Sequence, residues 1–283
     1  MDILTEPKDW TFSDISTQQV SHGFHPYPAR MHPEIARRLV EKYSNPGDLV
    51  LDPFMGSGSV LVEAMLQNRN SVGIDLNPFA CFISKVKTTT IDSEELNTIF
   101  NILIENFITD KKNNLIYNNK PNEKDINLDF WFKQEVSNDL SILKHHIFNI
   151  DKQELADFFK LCFSITTRKA SNQRNSIYKT YRINKDDLET FNPNVLNIFN
   201  QISIKNIKLM KSFSTKFENN NATSIIVNEN TKNIVEVFKN NNIPNSNLIV
   251  TSPPYGDHQT TVAYGQFSHH PSLWLDIPKE EIK

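Results

Sequence analysis

"LVLDPFMGSGSVLVEAMLQNRNSVGIDLNP", residues 49–78, is the stretch that decides the fold. The apolar run 49–51 predicts a short buried strand, and a glycine turn at 56–58 leads into an apolar helical pattern over about 59–69. A second strand, 72–75, ends on Asp75. A strand, a helix and a strand in this order predict a right-handed βαβ unit with parallel strands, the building block of a doubly wound α/β sheet.

The loop between the first strand and the helix has the features of a cofactor cradle. Gly56 and Gly58 let a ligand approach the backbone, and the free N–H groups at the helix start favour a polar group. Asp75 follows about 20 residues later, where an acidic residue commonly accepts hydrogen bonds from ribose hydroxyls. An ordinary βαβ turn is the alternative, but the two features together favour a nucleoside cofactor. NAD and ATP are less consistent with the sequence, because it has neither GxGxxG nor GK[ST].

A second unusual stretch, "TSPPY" at 251–255, follows the apolar run 248–250. Consecutive prolines lack the N–H groups that a sheet ladder needs, so the strand must end there. Open α/β sheets bind their ligands at the carboxyl ends of such strands. The sequence alone also allows a rigid loop in which Tyr255 packs against the core.

Together these motifs resemble the AdoMet-dependent DNA amino-methyltransferase family. Residues 52–64 resemble its AdoMet-binding loop, 73–78 its ribose-binding strand, "FHPYPARMHPEIARRLV" at 24–40 the segment over the cofactor's methionine end, and 251–255 its catalytic motif. The resemblance covers about 22–90 and 224–270 and implies a Rossmann-like sheet with strand order 3-2-1-4. It implies S-adenosyl-L-methionine as cofactor, with contacts from Tyr27, Arg30, Asp52, Pro53, Phe54, Gly56, Ser57, Gly58, Asp75, Asn77 and, near the adenine, Glu229.

The chemistry of amine methylation explains the Ser-Pro-Pro-Tyr pattern. An exocyclic amine is a poor nucleophile because its lone pair is delocalised into the base, and two acceptors at its hydrogens free that lone pair. We expect Ser252 and the carbonyl of Pro253 to be these acceptors, with Pro254 fixing the direction of the chain. Tyr255 would stack on a base flipped out of the duplex. The SPPY form favours N4 of cytosine, with N6 of adenine as the alternative.

The middle of the chain has a different character, since residues 74–255 contain no glycine. We predict an AdoMet-binding half at 1–90, a mainly helical insertion at 91–220 and a catalytic half at 221–283. The predicted helices are 79–87, 93–109, 134–148, 152–164, 186–212 and 231–240, and the later strands are 224–227 and 248–251.

A basic segment within the insertion is a candidate DNA contact. No acidic residue occurs between Asp157 and Asp186, and two tyrosines are interleaved with the cations. The predicted DNA-binding residues are Arg168, Lys169, Arg174, Lys179 and Arg182. An exposed loop with ordinary lysines is an equal alternative, and the net charge of −3 favours neither.

The sheet predicted from these motifs is incomplete on its C-terminal side, because its last strand, 248–251, lies at an edge. An apolar edge strand is normally covered. The chain would therefore be a fragment, or a second polypeptide completes the sheet and the chain alone has weak or no activity.

Several other classes are disfavoured. Cys81 and Cys162 are far apart and predicted to be buried, which argues against a thiolate-dependent ring-carbon methyltransferase and against zinc. His258, His269 and His270 are expected in a solvated loop, with no metal, while Phe130–Phe132 should be a hydrophobic anchor.

No membrane span or signal peptide is visible, so the prediction is a cytoplasmic protein acting on duplex DNA. An RNA guanine-N2 methyltransferase and a non-catalytic AdoMet-binding half-protein remain as alternatives.

Overall fold

The computed structural model describes residues 10–12, 14–175, 177–218, 220–253 and 264–281. The strands are β1 Leu49–Asp52, β2 Asn70–Asp75, β3 Ser224–Asn228 and β4 Leu248–Ile249. The helices are α1 Pro33–Tyr43, α2 Ser59–Leu66, α3 Pro78–Lys87, α4 Ser93–Lys112, α5 Leu128–Trp131, α6 Gln134–Phe148, α7 Gln153–Ala170, α8 Lys185–Thr190, α9 Val195–Lys216, α10 Ile234–Asn240 and α11 Tyr264–Trp274. A short 3₁₀ helix, Val20–Gly23, precedes α1.

The four described strands form one parallel sheet in the order β3-β2-β1-β4. Leu51 of β1 pairs with Val72 of β2 on one side and with Ile249 of β4 on the other. Asp75 at the end of β2 pairs with Asn228 at the end of β3. The α/β class and the predicted strand order are therefore confirmed. Because all four strands run the same way, the loops after β1, β2, β3 and β4 meet at one edge of the sheet.

Local chemistry explains where the helices around this edge begin. α1 and α3 both have proline at their first position, where the missing N–H is not needed. The side chain of His32 caps α1 by accepting the N–H of Glu34, and the side chain of Asn77 caps α3 by accepting the N–H of Phe79. These caps fix both helices directly beside the loops that follow the strands.

The two faces of the sheet are covered differently. On one face Val50 and Val250 pack against Ala36 and Val40 of α1 and Leu61 of α2. On the other face the apolar side chains of β1 and β2 pack mainly against Val237 and Ile243, in and just after α10. Near β4 this second face holds an open groove of about 710 Å³, lined by Leu51, Ile234, Val235, Phe238 and Ile243 among others.

The helices between β2 and β3 build a second, larger core. Phe107 of α4, Leu140 of α6, Phe159 of α7 and Phe199 of α9 are all buried in it. The same cluster contains Val20 and Phe24 of the N-terminal segment and Phe79 of α3. The predicted helical insertion thus packs directly on the cofactor-binding half, whereas the division at residues 90 and 220 stays a prediction.

Two predicted helices are wrong in their bounds. The helix predicted at 152–164 continues to Ala170 as α7. The expected single helix 186–212 is divided into α8 and α9. Pro193 lies between them, where its ring lacks an N–H and disfavours helical backbone in the residue before it. Asn194 then restarts the chain as the cap of α9, since its side chain accepts the N–H of Asn197.

Among the helices of the described ranges, none combines the length and the apolar character needed to cross a bilayer.

Candidate cofactor and catalytic site

A cavity of about 310 Å³ lies at the carboxyl edge of the sheet, where the loops after the strands converge. It is lined by residues from the segment before α1, from the loops after β1, β2 and β3, and from the chain just after β4. These residues are Tyr27, Pro28, Ala29, Arg30, Met31, Asp52, Phe54, Met55, Gly56, Ser57, Ser59, Asp75, Leu76, Asn77, Asn230, Thr231 and Ser252. The cavity therefore brings together sequence motifs that lie up to about two hundred residues apart.

Asp52 ends β1 and is buried at the floor of this cavity. Its Oδ1 atom accepts the N–H of Phe54 at 3.1 Å and the hydroxyl of Thr251 at 2.7 Å. Burial raises the pKa of Asp52 to about 6, and these two hydrogen bonds only partly oppose the rise. The bond from Thr251 joins the chain just after β4 to the end of β1.

Asp75 ends β2 and fixes the opposite wall. Its Oδ2 accepts the N–H of Gly56 at 2.9 Å and its Oδ1 accepts the N–H of Asn77 at 2.8 Å. Burial raises the pKa of Asp75, while these backbone bonds act to lower it. Gly56 has a φ of +49°, so the loop adopts a backbone conformation that few other residues accept.

The segment before α1 closes the cavity from above. The hydroxyl of Tyr27 accepts a hydrogen bond from Nδ2 of Asn77 at 3.3 Å. Arg30 donates from Nη1 to the carbonyl of His22 at 2.7 Å, and burial lowers the pKa of Arg30. These contacts hold the predicted methionine-end segment against the loop after β2.

The glycine loop is also supported from below by α3, and sequence reasoning missed this support. Lys87 is fully buried and donates to the carbonyl of Ser57 at 3.0 Å and to its hydroxyl at 3.3 Å. Desolvation lowers the pKa of Lys87 well below its usual value. Ser84 donates to the carbonyl of Gly56 at 2.9 Å. Ser84 and Lys87, three positions apart, lie on one side of α3 and were the available signal.

Three predicted cofactor contacts do not line the cavity, namely Pro53, Gly58 and Glu229. The carboxylate of Glu229 instead accepts the N–H of Asn230 at 2.6 Å and Nδ2 of Asn233 at 3.2 Å. The chain turns at this point, so Asn230 and Thr231 face the cavity, and Thr231 donates to the carbonyl of Pro53 at 2.5 Å. The carboxylate of Glu229 serves this turn, and its contact with the cofactor stays a prediction.

The predicted catalytic motif is described only in part. Ser252 lines the cavity, and Pro253 follows it at an exposed position. Pro254 and Tyr255 lie outside the described residues. The side chain of Ser252 is exposed at the cavity wall.

The five predicted DNA-binding cations are not equivalent in the structure. Lys169, Arg174 and Lys179 are exposed, and Arg182 is partly buried over the ring of Phe130. Arg168 is only 7% exposed and lies 4.6 Å over the ring of Phe267. Desolvation lowers the pKa of Arg168 to about 10. The position of Arg168 therefore favours a structural role over the predicted phosphate contact.

Three weaker predictions are also decided by burial. Cys81 and Cys162 are buried, as predicted, and burial raises the pKa of each thiol to about 12. The predicted anchor Phe130–Phe132 is confirmed for Phe132, which is buried beside Trp274, and is wrong for Phe130, which is 40% exposed. The expectation of a solvated histidine loop is wrong for His270, because α11 buries it against Trp131. His258 lies outside the described residues.

Comparisons with known proteins agree with the geometry. A family model described as DNA methylase matches residues 5–86. The chain is 36% identical to the type II methyltransferase M.MvaI of Kocuria varians over 276 residues, which cover 94% of this chain and 60% of that protein. It is 42% identical over 78 residues to M.MjaII of Methanocaldococcus jannaschii, covering 28% of this chain and 15% of the relative.

A third relative, M.EcaI of Enterobacter cloacae, is 48% identical over 54 residues, which cover 19% of this chain and 12% of that protein. The chain thus spans 60% or less of the length of these three curated relatives. No solved structure matches the chain.

Proposed function

The chain belongs to the DNA amino-methyltransferase family, and on this premise we propose that it methylates N4 of cytosine in duplex DNA at a specific site. The observation that carries the proposal is the direct contact between two motifs. Thr251, next to Ser252, donates to Asp52 at 2.7 Å, so the proposed catalytic serine adjoins the cofactor cavity. The named relatives are type II methyltransferases, which supports a site-specific reaction.

The residues of the cavity fit S-adenosyl-L-methionine, the cofactor of this family. The volume of about 310 Å³ suits a ligand of this size. Asp75 would accept hydrogen bonds from the ribose hydroxyls, and Asp52 would face the cationic end of the cofactor. Phe54 and Leu76 line the same cavity and would offer apolar surface to the adenine.

The bound cofactor supplies an electrophilic methyl group on a sulfonium. The chain's own part is to orient the amine and to free its lone pair. The Ser252 hydroxyl and the Pro253 carbonyl would accept the two amine hydrogens and draw the nitrogen toward tetrahedral geometry. Tyr255 would stack on the flipped base, a contact of about 1–3 kcal/mol.

The test is transfer of an isotopically labelled methyl group to unmethylated duplex DNA, followed by digestion to nucleosides and mass analysis. We expect labelled N4-methylcytosine, lost in Ser252→Ala. Labelled N6-methyladenine would keep the enzyme class and overturn the choice of base. DNA that stays unlabelled, both with the chain alone and with the chain plus any polypeptide that completes its sheet, would overturn the proposed function.

We also propose that a second polypeptide covers the β4 side of the sheet. β4 is an edge strand among the described residues, and Ile249 is 60% exposed. Val235, which lines the adjoining groove, is 72% exposed. The groove is lined by apolar side chains and, at Lys239, Asn242, Asn245 and Ser246, by polar ones. An apolar strand edge beside such a groove fits a partner that adds a parallel strand and packs an amphipathic helix over it. A stable monomer with full methyltransferase activity would contradict this proposal.

A further inference from the structure

Residues 172–183, described except for Ser176, form a hairpin between α7 and α8. Gln173 pairs antiparallel with Arg182, and the N–H of Arg174 donates to the carbonyl of Tyr181 at 2.8 Å. The N–H of Ile183 donates to the carbonyl of Asn172 at 2.9 Å. The segment is thus a short hairpin held by one antiparallel bridge and two backbone hydrogen bonds. Two-stranded elements can enter the major groove of B-DNA.

The body of the protein holds this hairpin from two directions. At its base, the N–H of Asn172 donates to the carbonyl of Trp131 at 2.7 Å. Near its tip, Arg168 donates to the carbonyl of Ile177 at 2.7 Å. The hydroxyl of Thr180 donates to the carbonyl of Gln266 in α11 at 2.9 Å. The hairpin is therefore a positioned element, and its outward side chains have a defined place.

Those outward side chains combine cations with aromatic rings. Arg174 and Lys179 are exposed, while Tyr178 and Tyr181 are 49% and 53% exposed. The sequence has no carboxylate between Asp157 and Asp186 to neutralise this face. Single-stranded or distorted nucleic acid exposes both phosphates and the faces of its bases. The cations of the hairpin could contact the phosphates, and its exposed rings could stack on the bases.

The hairpin also lies next to the cofactor cavity. The ring of Tyr178 contacts the ring of Phe267 edge to face, with 5.6 Å between centroids. Phe267 in turn contacts Tyr27, with 5.8 Å between centroids, and Tyr27 lines the cavity. A strand held by the hairpin would therefore run past the cavity mouth.

We propose that the hairpin 172–183 is the DNA-docking element of this chain, with Arg174 and Lys179 on phosphates and Tyr178 against the face of a base. This inference rests on the proposed function and deepens it. Arg168 is a positioning residue in this scheme, since its guanidinium fixes the tip of the hairpin through Ile177 and packs on Phe267.

The test measures binding of a short fluorescent duplex at several salt concentrations, using the chain with its partner. The variant is Arg174→Ala with Lys179→Ala, and the matched control is Lys211→Ala with Lys216→Ala. Both control lysines are exposed on the C-terminal part of α9, which leads to the opposite edge of the sheet. Loss of two phosphate contacts should reduce the slope of log K against log salt by about 1.8, and weaken binding up to about 60-fold near 0.1 M salt. The control should bind like wild type.

A second variant tests the proposed stacking of Tyr178 on a base and leaves the charge of the hairpin unchanged. Tyr178→Ala should weaken binding at least about fivefold, the lower end of a lost base-stacking contact, and Tyr178→Phe should restore it. AdoMet affinity should stay unchanged in every variant, which shows that the fold is intact.

The outcomes separate the two proposals. Wild-type binding and methylation together with an unchanged salt slope in the Arg174/Lys179 variant would overturn the hairpin proposal alone. An equal loss in the Lys211/Lys216 control would also overturn it, because the effect would then be one of net charge. A wild-type complex that neither binds nor methylates DNA would overturn the proposed function as well.

Discussion

The carboxylate of Asp52 should make the folded state sensitive to pH. Burial raises its pKa from about 3.8 to about 6, so the folded state binds more protons than the unfolded state between these values. Stability should therefore fall as pH rises through this window and stay lower above it. Asp52→Asn removes the buried charge and keeps an acceptor for Thr251 and Phe54. We expect its free energy of unfolding at pH 7.5 to exceed that of wild type, by up to roughly 3 kcal/mol.

Urea unfolding at about pH 4 and at pH 7.5 measures this effect. The advantage of the Asn variant should disappear at the lower pH, where Asp52 is protonated in the folded protein. A variant that is less stable than wild type at both values would show that the carboxylate is stabilising despite its burial.

The same ionisation should control the affinity for AdoMet. If Asp52 faces the cationic end of the cofactor, only its ionised form attracts that charge, so binding should strengthen as pH rises through about 6. Burial also raises the pKa of Asp75, which lines the same cavity, so both carboxylates contribute to the profile. Calorimetric titration of wild type and Asp52→Asn separates them. A pH profile that is identical in the two proteins would assign the dependence to Asp75.

Thr251 is expected to matter through its hydroxyl alone. Its hydrogen bond to Asp52 joins the chain just after β4 to the end of β1. Thr251→Val keeps the shape and removes the donor, which should lower stability by about 1.5–3 kcal/mol when Asp52 is ionised. Misalignment of Ser252 should also reduce kcat about tenfold or more, while KM for AdoMet changes less. Thr251→Ser should restore both, and failure of that rescue would show that the methyl group, and not the hydroxyl, is required.

The sequence predicted the position of some cavity residues and missed others. Asp52, Gly56 and Asp75 were predicted to line the cavity because the chemistry of their motif is local. Lys87 and Thr231 were missed because they contact the glycine loop from 30 and 178 residues away. Only the packing of α3 and the turn after β3 places these side chains, and neither leaves a pattern in the residues of the loop itself.

At the scale of elements, the glycine loop, residues 56–58, packs closely against α3, and this contact can be tested by substitution. Gly58 has a φ of +77°, and a Cβ atom there would lie 2.8 Å from Oγ of Ser84. Gly58→Ala should therefore cost about 1–2 kcal/mol of backbone strain and a steric clash in addition. Gly47→Ala is the matched control, because Gly47 has a φ of +90° with no atom within 4 Å of the added Cβ.

Thermal or urea unfolding of the two variants isolates the clash. We expect Gly58→Ala to be clearly the less stable of the two and to bind AdoMet more weakly, while Gly47→Ala binds it normally. Equal stabilities would mean that α3 shifts at little cost and does not hold the loop firmly.

The elements themselves were predictable where the sequence pattern is periodic or punctuated. The βαβ unit of β1, α2 and β2 and the strand order were predicted correctly. The break between α8 and α9 was missed, although Pro193 signals it, because apolar residues recur at helical spacing on both sides. The hairpin 172–183 had no turn signature, since its pairing depends on contacts with α5 and α11.

At the scale of the whole molecule, the site exists because β1 lies between β2 and β4. Asp75 and Asp52 end β2 and β1, and Thr251 follows the end of β4 by two residues. The helices α4 to α9 intervene in the chain without separating those strands. The sequence could predict this meeting only through the order that the family resemblance implies. The way the helical region packs on α3 and on the N-terminal segment could not be predicted, because it depends on long-range side-chain contacts.

The open side of the sheet yields the last prediction. If a second polypeptide pairs with β4, a charge at Ile249 should prevent association, because the side chain would be buried in the interface. Ile249→Lys should abolish co-purification of the partner and methyl transfer, while AdoMet binding to the chain stays close to wild type. The matched control is Ile225→Lys on β3, the other edge strand of the described sheet, where the native side chain is 39% exposed. That variant should associate normally. Loss of association in both variants would mean that the partner does not distinguish the two edges, and undiminished association of Ile249→Lys would place the interface elsewhere.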